Sequence, residues 1–185
     1  LTGIKALAVD HGVTPFMALL ACFQLLLARS CGVTDIAVGT PIANRRYSEL
    51  EPMIGFFVNT LVLRNRLEPA HTVSERIAAT RAMALAAFDH QDLPFEKLVE
   101  AINPVRDPSR SPLFQVMFAM GPGSDLDFKL PGLTIAPVEA TLNIAKFDLL
   151  LNMAETQNQL LGLLEYDIEL FEPYLVQNLI THFTQ

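Results

Sequence analysis

The sequence predicts an α/β fold: one lobe over residues 1–185 in which a mixed β-sheet packs against helices. Three observations lead there. Helix and strand periodicities follow one another in the order α α β β α α β β β β α, with no repeat and no low-complexity tract, which suits one layered structure rather than a doubly wound sheet. The first two strands read as apolar on both faces, and a sheet covered on both faces needs helices to cover it. Hydrophobic residues make up 51% of the chain and charged residues 18%, enough apolar surface to offset the entropy lost on ordering.

Residues 1–11 read as the tail of a helix. Thr14 and Pro15 then form an N-cap and first helical residue, and Phe16, Leu19, Leu20, Phe23, Leu26 and Leu27 keep helical spacing until Gly32 closes the helix. Short apolar runs over 35–42 (DIAVGTPI) and 56–63 (FFVNTLVL) are expected as buried strands. The polar stretch between them, over 40–55, is a loop of the length that usually serves function. Thr72 and Glu75 make a capping box that opens a helix running to about Phe88. A shorter helix starts near Pro94, capped by Asp92, with Phe95, Leu98, Val99 and Ile102 as its apolar stripe. Three prolines make 103–112 irregular. Strands are expected over 114–120, 133–138, 147–153 and 160–166, the last two as a hairpin. Pro173 begins a terminal helix bearing Leu175, Leu179 and Phe183.

The net charge of −7 and pI near 5.0 argue against nucleic acid and against a polybasic membrane anchor. The longest apolar run, over 16–28, contains Gln24 and falls short of the about 20 residues that span a bilayer. Cys22 and Cys31 lie on opposite sides of one helix, too far apart to pair. Two buried, unpaired thiols fit a reducing, cytoplasmic compartment. A free-standing domain normally carries more surface charge than this one. Together with the start at Leu1 and the lack of a signal pattern, that suggests a piece of a longer polypeptide whose apolar surface is covered elsewhere.

Motifs of familiar chemistry are missing. Gly121-Pro122-Gly123-Ser124 is neither a nucleophile elbow nor a dinucleotide fingerprint, and the four histidines are scattered. In His90-Gln91-Asp92 a helix-ending turn is favoured over a catalytic dyad. Arg45 with Arg46, Arg64 with Arg66, and Arg106 with Arg110 could each meet a phosphate, but structural ion pairing is the simpler reading. Asn59 stands out, because an amide within an apolar strand needs a partner: either backbone or a substrate amide.

At these residues a family resemblance emerges. Ile54-Gly55-Phe56-Phe57-Val58-Asn59-Thr60, followed by Arg64, resembles the fifth core motif of the condensation domains of nonribosomal peptide synthetases. His90-Gln91-Asp92-Leu93-Pro94-Phe95-Glu96 resembles the sixth, and Arg106-Asp107-Pro108-Ser109-Arg110-Ser111-Pro112-Leu113-Phe114 the seventh. The end of the first strand, Val38-Gly39-Thr40-Pro41, and the terminal His182-Phe183 are also similar, so the likeness covers essentially the whole chain.

The resemblance implies a fold similar to chloramphenicol acetyltransferase: two lobes in a V around the reaction centre. The family's His-His-x-x-x-Asp-Gly motif lies in the amino-terminal lobe and occurs nowhere in this sequence, so the chain resembles the carboxy-terminal lobe alone. In the family, an acceptor amine attacks a donor thioester, each held on the phosphopantetheine arm of a peptidyl carrier domain. No cofactor is then bound directly. The implied partners are the amino-terminal lobe, carrier domains and an adjacent adenylation domain, with no nucleic acid and no membrane.

By the same resemblance, residues 40–55 would form a floor under the tunnel and residues 121–145 a crossover or latch. Asn59, Gly55, Arg110 and Ser111 become substrate-tunnel candidates, with no catalytic or metal-binding residue among them. Ser111 departs from the asparagine common at its position and loses the amide's reach. The lobe is expected to be inactive alone and prone to self-association. Alternatives are a non-catalytic lobe that docks carrier domains, and a small-molecule acyltransferase of the same fold.

Overall fold

Residues 1–105, 107–122, 133, 144–156 and 159–185 are described by the structure, a computed structural model. Local chemistry starts the two longest helices. Helix α1 (Thr2–Asp10) turns into α2 (Pro15–Cys31), where the Thr14 hydroxyl accepts the Met17 amide at 3.2 Å and Pro15 occupies the first turn. Gly32 ends α2 at φ 68°, a left-handed conformation that suits glycine. Helix α3 (Val73–Asp89) has its capping box formed, with the Thr72 amide donating to Glu75 at 2.7 Å. Helices α4 (Phe95–Ile102) and α5 (Pro173–Thr184) complete the set.

Among the described residues the strands are β1 (Asp35–Ile42), β2 (Asn59–Arg66), β3 (Val116–Pro122), β4 (Leu149–Glu155) and β5 (Leu160–Tyr166). They form one mixed sheet in the order β2-β1-β3-β4-β5, antiparallel at both ends and parallel on either side of β3. The β1–β3 ladder is short, pairing only Val38 with Val116 and Gly39 with Met117. Helix α2 packs over it. The Phe118 ring, fully buried on β3, lies 5.4 Å from Phe16 and 5.7 Å from Phe23, and Phe23 in turn meets Phe183 of α5 at 6.0 Å.

One polar network is buried in this layer. The Gln24 amide of α2 donates to the Leu63 carbonyl at 3.0 Å. Asn65 donates to Gln24 Oε1 at 3.3 Å and to the Thr80 hydroxyl of α3 at 3.0 Å. It ties two helices to β2, and no buried side-chain polar atom among the described residues lacks a partner.

Among the described residues the elements follow the expected order, apart from the strand expected over 133–138, and the mixed sheet with its helices is observed. Several details differ. The second strand begins at Asn59, three residues later than expected, and alternates buried and open positions instead of being apolar on both faces. Its extent follows pairing with β1, which runs from Asp35↔Arg66 to Ile42↔Asn59 and leaves Phe56–Val58 in the loop. Helices therefore do not cover both faces throughout. The outward face of β4–β5 is open, with Leu161 and Leu163 exposed.

Strands β3 and β4 each start two residues later than expected, whereas β5 has the expected bounds. Cys22 and Cys31 are both exposed, not buried: α2 is apolar almost all round, so its composition does not mark its outer side. The expected strand over 133–138 lies outside the described residues except for Leu133, as does most of the 121–145 segment. No single helix among the described residues is long and apolar enough to cross a membrane.

Two predictions follow from these contacts. Thr80→Val, close to isosteric, removes an acceptor from buried Asn65 and should cost about 1–3 kcal/mol in chemical denaturation. At the sheet's end, Arg64 donates to Asp35 at 2.8 and 2.7 Å, and Arg66 adds a contact at 3.2 Å. Arg64 first, with Arg66 behind it, holds the Asp35 carboxyl down at about 2. A carboxyl depressed on folding stabilises the fold fully above its ordinary value of 3.8, and that contribution fades as pH falls toward about 2. The wild-type chain should therefore lose stability over that window that Asp35→Asn does not, and added salt should shrink the difference, because the pair is exposed.

Candidate functional site

Three segments distant in the sequence meet at one end of the sheet, around Asn59 at the start of β2. Its Nδ2 donates to the carbonyls of Gln91 and Leu93, both at 2.9 Å, and its Oδ1 accepts the Phe95 amide at 3.1 Å. Of the two alternatives open at the sequence level, backbone or substrate, the amide has taken backbone. Phe95 is the first residue of α4, whose N-cap position is Pro94 with no capping side chain, so Asn59 caps that helix from another strand.

Asp92, expected to be that cap, instead pairs with Arg46. The ion pair fastens the loop after β1 to the turn between α3 and α4. His90 bonds the Ala86 carbonyl at 2.8 Å through Nδ1, as befits a helix-ending turn rather than a dyad with Asp92.

Aromatic packing brings in the third segment. Phe95 meets Phe114 edge-on at 5.7 Å, and Phe114 lies 5.7 Å from Phe147. The Phe114 ring sits against Gly39 of β1 so closely that a Cβ there would overlap it. Phe114 reaches this place through a tight turn in which its amide donates to the Pro112 carbonyl at 2.9 Å. Leu113 within the turn has φ 69°, a conformation that L residues seldom adopt. Sequence reading missed the Gly39–Phe114 contact; a glycine within an apolar strand is the signal that would have found it.

The loop over 43–58 is organised by its own arginine. Arg45 donates to the Leu50 carbonyl and, at 3.3 Å, to that of Glu51, while its guanidinium lies 4.4 Å above the Phe57 ring. Gly55 lies beside the same ring, where an added Cβ would come within 2.9 Å. Ile54 and Phe56 point outward, the second 93% exposed, although both are large and apolar.

Between α4 and the segment after it lies a cleft of about 940 Å³. Its apolar wall is Phe95, Val99, Pro104 and Leu113, and Glu96, Glu100 and Asp107 bring carboxylates to its rim. Arg110 and Ser111 line it, whereas Asn59 and Gly55 do not. The Asp107 carboxyl is held below the usual range by the Ser109 hydroxyl and amide, which donate at 2.7 and 3.0 Å, with Arg110 a lesser contributor. Arg106 lies outside the described residues.

A model of the condensation-domain family matches residues 1–185. A linear gramicidin synthase of Brevibacillus parabrevis is 45% identical over 184 residues, which is 98% of this chain and 2% of that protein. Malpinin synthetase of Mortierella alpina is 46% identical over 169 residues, 91% of this chain and 2% of that protein. The chain thus spans a small part of the length of these relatives. A crystal structure of a four-domain nonribosomal peptide synthetase bound to AMP and glycine aligns with TM-score 0.87 at 26% identity, over 97% of this chain and 15% of that one. The X-domain from teicoplanin biosynthesis aligns at 0.84 and 25% identity, over 97% and 42% of the two chains, and its complex with OxyB at 0.84 and 26%, over 97% and 40%.

Asn59→Ala should leave two carbonyls and one amide without their partner and destabilise the fold by about 1–3 kcal/mol in denaturant titrations. Gly39→Ala should cost at least about 1–3 kcal/mol through overpacking against Phe114. Phe114→Leu in the same chain should recover part of that loss, and a double-mutant cycle on melting curves measures the coupling.

Proposed function

The chain belongs to the condensation-domain family, and on that premise we propose that it is the carboxy-terminal lobe of a nonribosomal peptide synthetase condensation domain. Paired with an amino-terminal lobe, it takes part in forming a peptide bond between a donor acyl thioester and an acceptor aminoacyl thioester. The acceptor nitrogen attacks the donor carbonyl, a C–N bond forms, the C–S bond breaks, and the thiol leaves with the proton shed by the amine. The two reactants ride on the phosphopantetheine arms of carrier domains, which with an adenylation domain are the partners of this reading.

The observation that carries the proposal is the meeting of three motif segments about Asn59 in a chain without a His-His-x-x-x-Asp-Gly sequence. The chain's share of the work is positioning. Holding two tethered reactants in line is a large contribution available to a wall that supplies no base. Arg110 and Ser111, on the α4 cleft, are the residues assigned to substrate or its arm. Asn59 and Gly55 act by holding the turn and the floor loop in shape. Exposed Ile54 and Phe56 on that loop suit burial under a companion lobe.

A second reading, a non-catalytic docking lobe, draws support from the likeness to the X-domain that forms a complex with OxyB. One experiment separates the two. The chain is mixed with donor- and acceptor-loaded carrier proteins, with and without the complementary amino-terminal lobe, and dipeptidyl thioester is followed by mass spectrometry. Product with both lobes and none above the carrier-only background with this chain alone is the expected result. Product from this chain alone overturns the lobe assignment, and no product with both lobes together favours docking.

A further inference from the structure

The two edges of the sheet are finished differently. Edge strand β2 carries Arg64 and Arg66, both exposed and both paired to Asp35, and charge of this kind keeps an edge from pairing with another chain. Strand β5, LLGLLEY, has one charged residue and no proline, and among the described residues no strand lies beyond it. Its outward face adds Leu161 and Leu163, 49% and 68% exposed.

The hydrogen-bond phase of that edge can be read from the hairpin. Asp167 donates to the Asp148 carbonyl at 3.1 Å and Thr156 to the Gln159 carbonyl at 3.0 Å, so the bonded pairs alternate through 161, 163 and 165. The N–H and C=O groups of Leu160, Gly162, Leu164 and Tyr166 therefore point away from β4.

We propose that β5 pairs antiparallel with β5 of a second copy of this chain, about a two-fold axis through Leu163. In that register Leu160 faces Tyr166 and Gly162 faces Leu164, and these are the residues whose backbone groups point outward, so they exchange their bonds reciprocally. Leu163 then faces its own counterpart in a non-bonded pair, where side chains approach most closely. Glu165 faces Leu161, so no like charges oppose each other. The contact is isologous and closes at two copies, joining two five-stranded sheets.

Light scattering after size exclusion, over a concentration series of the 185-residue chain, should show the mass rise from 20.4 kDa toward twice that value. Leu163→Lys and Leu163→Glu, at an exposed position, should retain the wild-type circular dichroism and each lose the dimer. An equimolar mixture of the two should recover it, because opposite charges then meet across the axis. Leu161→Lys, on the same face but opposite Glu165, should keep the dimer. A wild-type chain that stays monomeric throughout overturns the proposal. So does a mixture that fails to associate, or a Leu161→Lys chain that dissociates as fully as Leu163→Lys.

Discussion

Asn59 joins the end of the sheet to the turn that precedes α4 by answering three backbone groups with one amide. The Gln91 and Leu93 carbonyls and the Phe95 amide belong to a stretch that turns sharply between two helices, where local partners are scarce. A side chain from β2 supplies what the turn cannot, and so sets where α4 begins. With α4 in place, Phe95 finds Phe114, Phe114 finds Gly39, and the irregular segment after α4 gains one wall of a cleft. The Arg46–Asp92 pair then holds the loop after β1 against the same turn. These are contacts of shape rather than of acid–base chemistry, the kind that the proposed positioning role requires.

Apolar surface is distributed unevenly, and the low charge of the chain has a physical location. One face of the sheet is filled by α2, α3 and α5, with Gln24, Asn65 and Thr80 satisfying one another inside it. On the other face, the β2 end carries α4 and the aromatic cluster, while the β4–β5 end carries exposed leucines. Tyr47, Met53, Ile54 and Phe56 add a second apolar stretch on the loop, far from β5 in sequence. A domain that met only water would be expected to charge such areas.

What the sequence disclosed was mostly local. Thr14, Gly32 and the Thr72–Glu75 box mark helix ends through atoms a few residues away, and all are found as read. The bounds of β2 were harder, because FFVNTLVL looks uniform and only pairing with β1 chooses Asn59 as the first strand residue. Asp92 was misread as a cap for a similar reason: its partner, Arg46, is distant in the chain. Asn59 was recognisable as an amide in need of partners, yet which partners it takes depends on where α4 lies. The exposure of Cys22 was hidden by the even hydrophobicity of α2. Resemblance located three motifs, and the fold explained why they belong together.

The two-rung ladder between β1 and β3 divides the sheet into unequal leaves. On one side lie β1 and β2 with the loop between them; on the other lie β3, β4 and β5, with β3 and β4 bound by seven consecutive pairs from Val116↔Leu149 to Pro122↔Glu155. Hydrogen bonding across the join is sparse, so the leaves are united mainly by the rings of Phe16, Phe23 and Phe118 beneath it. Phe114 crosses the same line on the other face, packed against Gly39 of β1 on one side and against Phe147, just before β4, on the other. The seam of the sheet is thus stitched by side chains above and below where backbone bonds are few, and the segment that lines the cleft is anchored to both leaves at once.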